Sequence, residues 1–356
     1  MEVCVRVFTN QAQYTQHSYP KGLYTKNFLS GVSDGGMFFN PNFKGEFSPG
    51  EISGKISINS KGCRDYERKY KKQGKFRVLA LGDSFTFGHG VEFEESFLTI
   101  FENSLNSLYK GSTEIIKCAV PGGSPRHYLR FLKHEGYKYN PDLVMVNFFI
   151  GNDVFTDFVK GESKIAEPED VPMIWKIKNF LRINSILYGF VADRLKGSPQ
   201  IRKYLLKFGF AIGYSERRTL TILKKKYSDS EEIQWEKAFN YLKEINKLSN
   251  DLVVVFIPHR EQIDIFARKI LEYQAGKTLE DFDTHSPNKK LRSFLDKQKI
   301  KHIDLLKEFE EYYKTSKMPL YFDIDPHWNQ EGHKFAAELL TKKMKPFLTE
   351  LEIARN

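Results

Sequence analysis

The chain has 356 residues, with 55 Lys+Arg against 45 Asp+Glu and a net charge of +10, and an isoelectric point near 9.2. Its 40% hydrophobic and 28% charged residues are the composition of a globular protein and exclude wholesale disorder. The length allows about two domains, or one large domain with insertions. No stretch reaches the roughly 18 consecutive apolar residues that a membrane-spanning helix needs.

The opening MEVCVRVFTNQAQY lacks a basic stretch followed by an apolar run, so no secretory signal is expected there. As given, the chain reads as soluble. Membrane association, and with it a periplasmic or cell-envelope location, is expected only if an apolar anchor precedes Met1. Cys4, Cys63 and Cys118 are odd in number and widely scattered. That speaks against a disulfide framework and against a zinc site of paired cysteines. Basic residues fall in short runs such as Lys224-Lys225-Lys226 and Lys342-Lys343, with acids interspersed elsewhere. Nucleic-acid recognition would need a clustered stripe with interleaved aromatics, so solvated helix faces are expected and no nucleic-acid partner.

Residues 1–74 are rich in Gly, Asn, Ser, Lys and aromatics. NPNFKGEF and GKISINSKGCRD read as short strands and turns of an extension packed on the main domain. From Lys75 to about residue 350 the pattern changes to apolar runs separated by helical stretches. The strand candidates are 75–82, 114–120, 142–150, 251–258 and 301–306, several of them almost continuously apolar, as strands covered on both faces should be. Helices are predicted over 95–108, 124–136 and 234–248; in the last, Trp235, Phe239, Leu242, Ile245 and Leu248 recur at helical spacing. Alternating β and α units imply an α/β fold, a parallel sheet with helices on both sides. Residues 161–230 interrupt the alternation with strongly apolar segments around Met173, Ile177, Leu181 and Leu187. A helical insertion at the carboxyl end of a strand would lie where ligands bind such sheets, as a cap or as an accessory layer.

Four segments carry chemistry. In RVLALGDSFTFGHG (77–90) an apolar strand runs through Gly82 into Asp83-Ser84 and a helix start. That turn would set Ser84 at the sheet's carboxyl edge beside unpaired helix amides, where a nucleophile could form an oxyanion. Asp83 and Ser84 could equally be a simple helix cap. In CAVPGGSPRHY (118–128), Gly122 and Gly123 would let an amide approach a ligand or merely turn the chain. In FFIGNDVFTDF (148–158), Asn152 could donate a side-chain amide, although Gly-Asn-Asp is also an ordinary turn.

The fourth segment, YFDIDPHWNQEGHKFAAELL (321–340), leads into an amphipathic helix. Pro326 biases Asp325 towards an extended conformation, in which Asp325 and His327 project to the same side and the acid can orient the ring. Asp323 is the alternative acid, roughly 13 Å from His327 in an extended chain. His333 reads as structural. A metal held by His327, His333 and the two aspartates would need further ligands that the sequence does not offer, so no metal is expected.

Taken in order, these segments resemble the SGNH (GDSL-like) esterase and acyltransferase superfamily. GDS matches at Gly82–Ser84, the glycine block at Gly122, GND at Gly151–Asp153 and the Asp/His block at Asp325–His327. INSKGCRD, LGDSFTFGHGVEFEESF and DPHWNQEGH resemble a bacterial branch, some of whose members act on polysaccharide O-acetyl groups. The likeness spans about 57–160 and 250–345. It implies a flavodoxin-like three-layer α/β/α fold with a five-stranded parallel sheet. It also implies Ser84 as nucleophile, His327 as base, Asp325 as the acid that orients it, and an oxyanion hole from the Ser84 and Gly122 amides with the Asn152 side chain. Phe85 replaces the usual leucine. The acid commonly stands three residues before the histidine, where this chain has Ile324; the Asp-x-His form resembles the alginate O-acetylation proteins. The expected activity is cofactor-independent hydrolysis of small acyl esters, such as acetyl groups on a glycan, through an acyl-enzyme. O-acyl transfer by the same residues is the alternative, and a non-catalytic glycan-binding module a more distant one.

Overall fold

The computed structural model describes residues 19–20, 22–25, 37–47, 52, 54–155, 221–265, 267–268, 282–316, 318–323 and 325–350. The expected insertion lies outside the described residues up to residue 220, and so does Cys4. Two short strands, β1 (Lys44–Phe47) and β2 (Gly54–Ser57), pair antiparallel. Then come β3 (Phe76–Gly82), the four-residue helix α1 (Ser84–Phe87), α2 (Phe97–Leu108), β4 (Thr113–Ala119), α3 (Pro125–His134) and β5 (Leu143–Phe149). The second half holds α4 (Asp229–Leu248), β6 (Leu252–Ile257), α5 (Arg260–Ile263), α6 (Ser286–Lys297), β7 (Lys301–Asp304), α7 (Leu306–Ser316) and α8 (Gln330–Glu350). Helix α4 begins at Asp229 rather than 234, because Ser228 and Glu231 close a capping box over its first turn.

The other five strands form one parallel sheet in the order β4-β3-β5-β6-β7, the flavodoxin-like arrangement expected from the sequence. Alternate residues of each strand feed two separate cores. Leu79, Leu81, Val144, Val146, Val254 and Phe256 pack with α3, α4 and α6 on one face. Val78, Ala80, Met145, Val253 and Val255 pack with α2, α7 and α8 on the other. Leu23, Phe38, Phe39, Phe47, Ile52 and Ile56 from the N-terminal part join the first core. These buried aromatic and aliphatic side chains give that part of the chain its place on the sheet.

Strand β4 ends the sheet, and its odd-numbered amides point away from β3. Each is met by a side chain: Thr113 N–H donates to Asn106 Oδ1 at 3.1 Å, Ile115 N–H to Glu102 Oε1 at 3.0 Å and Lys117 N–H to Asp65 Oδ2 at 3.2 Å. Glu102 and Asp65 are buried, so their charges need cations close by. Arg68 and the Lys117 ammonium supply them, each reaching both carboxylates. Burial alone pushes the Glu102 carboxyl up, but Lys117 and Arg68 outweigh it and hold the group below the usual carboxylate range.

The expectation of no disulfide is corrected here: Cys63 and Cys118 are bonded, with Cα atoms 5.0 Å apart and a separation of 55 positions in sequence. Scattered spacing in the chain concealed a close approach in space, because residues 63–68 run along the β4 edge beside Cys118. A cross-link closing a loop of this size restricts the unfolded chain and stabilises by about 2–4 kcal/mol. The double variant Cys63→Ala/Cys118→Ala should lose stability of that order in urea unfolding under non-reducing conditions. Unchanged stability would show that the bridge constrains nothing.

Candidate active site

The site is assembled where β3, β4 and β5 end. Beyond β3 the chain turns so sharply that a Cβ on Gly82 would lie 2.0 Å from Thr86 Oγ1, so only glycine permits α1 to fold back on the strand. Asp83 caps α1, its Oδ1 accepting the Phe85 N–H at 3.0 Å. Ser84 follows as the first helical residue, where an amide has no partner within its helix. After β4, Gly122 has a left-handed φ of +70°. The Gly123 amide is spent on the Val120 carbonyl at 2.8 Å, whereas none of the described residues accepts from the Gly122 amide. After β5, Asn152 Nδ2 donates to Asp83 Oδ2 at 3.1 Å, tying the third loop to the first. Asp153 anchors that loop, accepting from the Tyr128 hydroxyl at 2.8 Å and the Phe149 amide at 3.1 Å.

The loop before α8 brings the remaining groups. His327 Nε2 lies 2.6 Å from Ser84 Oγ, and His327 Nδ1 lies 2.5 Å from Asp325 Oδ1. Asp325 does not reach the ring through extended backbone as expected. Its Oδ1 also accepts the His327 backbone N–H at 3.0 Å, an Asx-type turn that curls the three residues. Asp323 enters instead through its backbone: its carbonyl and that of Phe322 accept from Arg260 Nη1 at 2.9 and 3.1 Å. Phe85 is buried, its ring 4.8 Å from that of His327 and 5.0 Å from Trp328, so it backs the imidazole.

The electrostatics follow from burial and proximity. Burial alone would lower the His327 imidazole, but the Asp325 carboxylate and its hydrogen bond, with Asp83 behind, raise it above its ordinary 6.5. Burial opposes ionisation of Asp325 as well, yet His327 and then His89 draw it well below the carboxylate range. Asp83 is fully buried and pushed up to about 6, with His327, the Phe85 amide and Asn152 limiting the rise. His333 takes no part in the contact: it is buried against Phe97 and Trp328, and its Nδ1 accepts the Phe97 N–H at 3.3 Å.

Sequence reasoning missed His89, Tyr19 and Arg260. His89 stood inside the GDSFTFGHG segment, and its histidine between two glycines was the available signal. Among the described residues the group close enough to grip an ion is His89, Asp325 and His327, with ligand atoms within 4.8 Å of one another, rather than the His327/His333 pair considered from the sequence. Both His327 nitrogens already face Asp325 and Ser84, so an ion there would displace the hydrogen bonds just described.

No protein-family model matches the chain, and no curated protein does. Among solved structures the chain is similar to the acetyl xylan esterase AlAXEase, 17% identical, covering 75% of this chain and 98% of that one with a TM-score of 0.41. It is similar also to a variant of Axe2, an acetyl xylan esterase from Geobacillus stearothermophilus (14%, 80% and 98%, 0.40). A third is the psychrotrophic esterase EstA from Pseudoalteromonas sp. (12%, 77% and 100%, 0.38). At such identities and scores the likeness decides nothing about the reaction.

The buried His333 gives a test of the site's surroundings. Burial, then the nearby His327, Arg64 and His89, push its imidazole down to about 3 from 6.5. Below pH 6.5 the unfolded chain therefore binds a proton at this residue that the folded chain refuses. Its contribution falls by about 1.4 kcal/mol per pH unit as the pH drops from 6.5 towards 3. In urea unfolding across this window, His333→Phe should lose stability less steeply than wild type. Parallel curves would contradict the assignment of a neutral, buried imidazole.

Proposed function

We propose that the protein is a serine-dependent carboxylic-ester hydrolase that works through an acyl-enzyme without a cofactor. The observation that carries the reading is the continuous contact from Ser84 Oγ to His327 Nε2 at 2.6 Å and from His327 Nδ1 to Asp325 at 2.5 Å. It lies at the carboxyl edge of a parallel sheet, where ligands meet such folds. Ser84 attacks the ester carbonyl while His327 takes its proton, and the Asp325 carboxylate stabilises the imidazolium. The tetrahedral oxyanion is met by the Ser84 and Gly122 amides and by Asn152. Its hydrogen bond to Asp83 holds the Asn152 amide at the β3–α1 corner, beside Ser84. As the carbonyl re-forms, His327 gives its proton to the departing alcohol. It then deprotonates a water molecule, which attacks the acyl-enzyme, and Ser84 leaves with the returned proton. Small acyl groups, acetyl esters of a glycan among them, are proposed as the substrate class on the strength of the motif resemblance.

Intact-mass spectrometry after exposure to a fluorophosphonate tests the nucleophile. One adduct is expected on wild type and none on Ser84→Ala; an adduct surviving in Ser84→Ala, or a folded wild type without one, overturns the reading. His327 must be neutral to act as base, so the labelling rate should rise with pH through a midpoint above 6.5. Asp325→Asn should slow the reaction by about 10³–10⁴-fold, while Asp323→Asn leaves it within about threefold, because Asp323 meets Arg260 through its carbonyl. Acetyl transfer to an added oligosaccharide outrunning release to water would reassign the chain to O-acyl transfer by the same residues.

A further inference from the structure

We propose that His89, held by Tyr19 from the N-terminal part of the chain, is a positioning residue that fixes the second oxygen of Asp325 and so sets the basicity of His327. This rests on the reading of Ser84, His327 and Asp325 as a catalytic triad. While Asp325 Oδ1 is engaged by His327, Oδ2 lies 3.6 Å from His89 Nε2. At that distance the pair is a close electrostatic approach rather than a formed hydrogen bond. On the far side of the ring, His89 Nδ1 lies 2.5 Å from the Tyr19 hydroxyl.

The tautomer follows from these contacts. Burial, first of all, keeps the Tyr19 phenol protonated, so it can donate to Nδ1. The proton of a neutral His89 then sits on Nε2, the nitrogen 3.6 Å from Asp325 Oδ2. The ring has little freedom to turn away. It is 5% exposed, meets Phe47 edge-on at 4.8 Å and lies 4.3 Å from the His327 ring. Arg64 pins the loop that carries it, donating to the carbonyls of Phe87, Gly88 and Val91 at 2.8–3.0 Å.

A carboxylate that shares its charge with a second N–H stabilises an imidazolium less than one that does not. Removing the His89 donor should therefore raise the His327 pKa and also loosen the acid. The charged and titratable groups around His327 are Asp325 on its own loop, Asp83 from the β3–α1 corner and His89 from the loop after α1. Among the described residues, Tyr19, His333 on α8 and Arg64 behind the His89 loop join them. A change confined to His89 leaves the others in place.

The variants are His89→Phe, which keeps an aromatic ring in an aromatic surround, His89→Gln and Tyr19→Phe. A glutamine amide can accept from Tyr19 and donate to Asp325. NMR of ¹⁵N-histidine-labelled protein across a pH titration reports the His327 midpoint and the His89 tautomer without any activity. Turnover of p-nitrophenyl acetate separates kcat from KM. In His89→Phe the His327 midpoint should move up by about half to one pH unit and kcat fall about tenfold, with KM within about twofold. His89→Gln should restore most of both, and Tyr19→Phe should shift the His89 tautomer and lie between. An unmoved His327 midpoint in His89→Phe, or equal shifts in the Phe and Gln variants, overturns the proposal. A fluorophosphonate adduct that survives in Ser84→Ala sinks the esterase reading instead, and the NMR midpoints are read either way.

Discussion

The outer edge of β4 sets the terms for much of this structure. A terminal strand carries amides with no neighbouring strand to accept from them, and leaving a buried N–H unpaired costs about 1–3 kcal/mol. Here the amides of Thr113, Ile115 and Lys117 are received by Asn106, Glu102 and Asp65. Asn106 and Glu102 are four apart and so share a face of α2. Burying two carboxylates in turn requires Arg68 and Lys117. The edge is therefore closed by charge rather than by another strand, which also removes a template for pairing with a second chain.

Three consecutive residues carry this arrangement to the site. Cys63 is bonded to Cys118 of β4, Asp65 accepts the Lys117 amide, and Arg64 between them reaches the opposite way. Its guanidinium cannot lose its proton, and it holds the carbonyls that end α1 and begin the His89 loop. The serine corner and the edge strand are thus fastened by one short stretch of the N-terminal part. Around the triad, His327 is raised by its carboxylate neighbours, while buried His333 stays neutral just behind. In the proposed mechanism that neutrality matters, because a second imidazolium there would oppose one forming on His327.

Much of this was legible in the sequence because it is written locally. Continuous apolar runs gave the five strands within a residue or two, and their parallel direction followed from the helices between them. Ser84 was visible in the turn after an apolar strand and Asp325 and His327 in a polar loop before the last helix, single motifs that pointed to a site only when taken together with the family resemblance; the structure brings the three together. Other features depend on contacts between distant segments, which no periodicity records. The Cys63–Cys118 bond spans 55 residues. Asp65 reads as an ordinary surface acid until β4 is laid beside it. Even the Asp325–His327 contact was reached for a different reason than expected, an Asx-type turn in place of extended backbone.

The N-terminal part illustrates why a boundary drawn from composition need not be a boundary in energy. The shift at residue 74 is real in the sequence, since helical periodicity starts there. Yet Leu23, Phe39 and Phe47 are buried in the same core as Leu79 and Phe131, and Tyr19 stacks on Phe47 while touching His89. Removing these residues would open one face of the core, unpair the β4 amide that Asp65 receives and leave His89 Nδ1 without its hydroxyl. The strand–helix alternation supplies the serine and the imidazole. The preceding residues supply the packing and the second contact that hold those groups at a fixed angle, and proton transfer depends steeply on that angle.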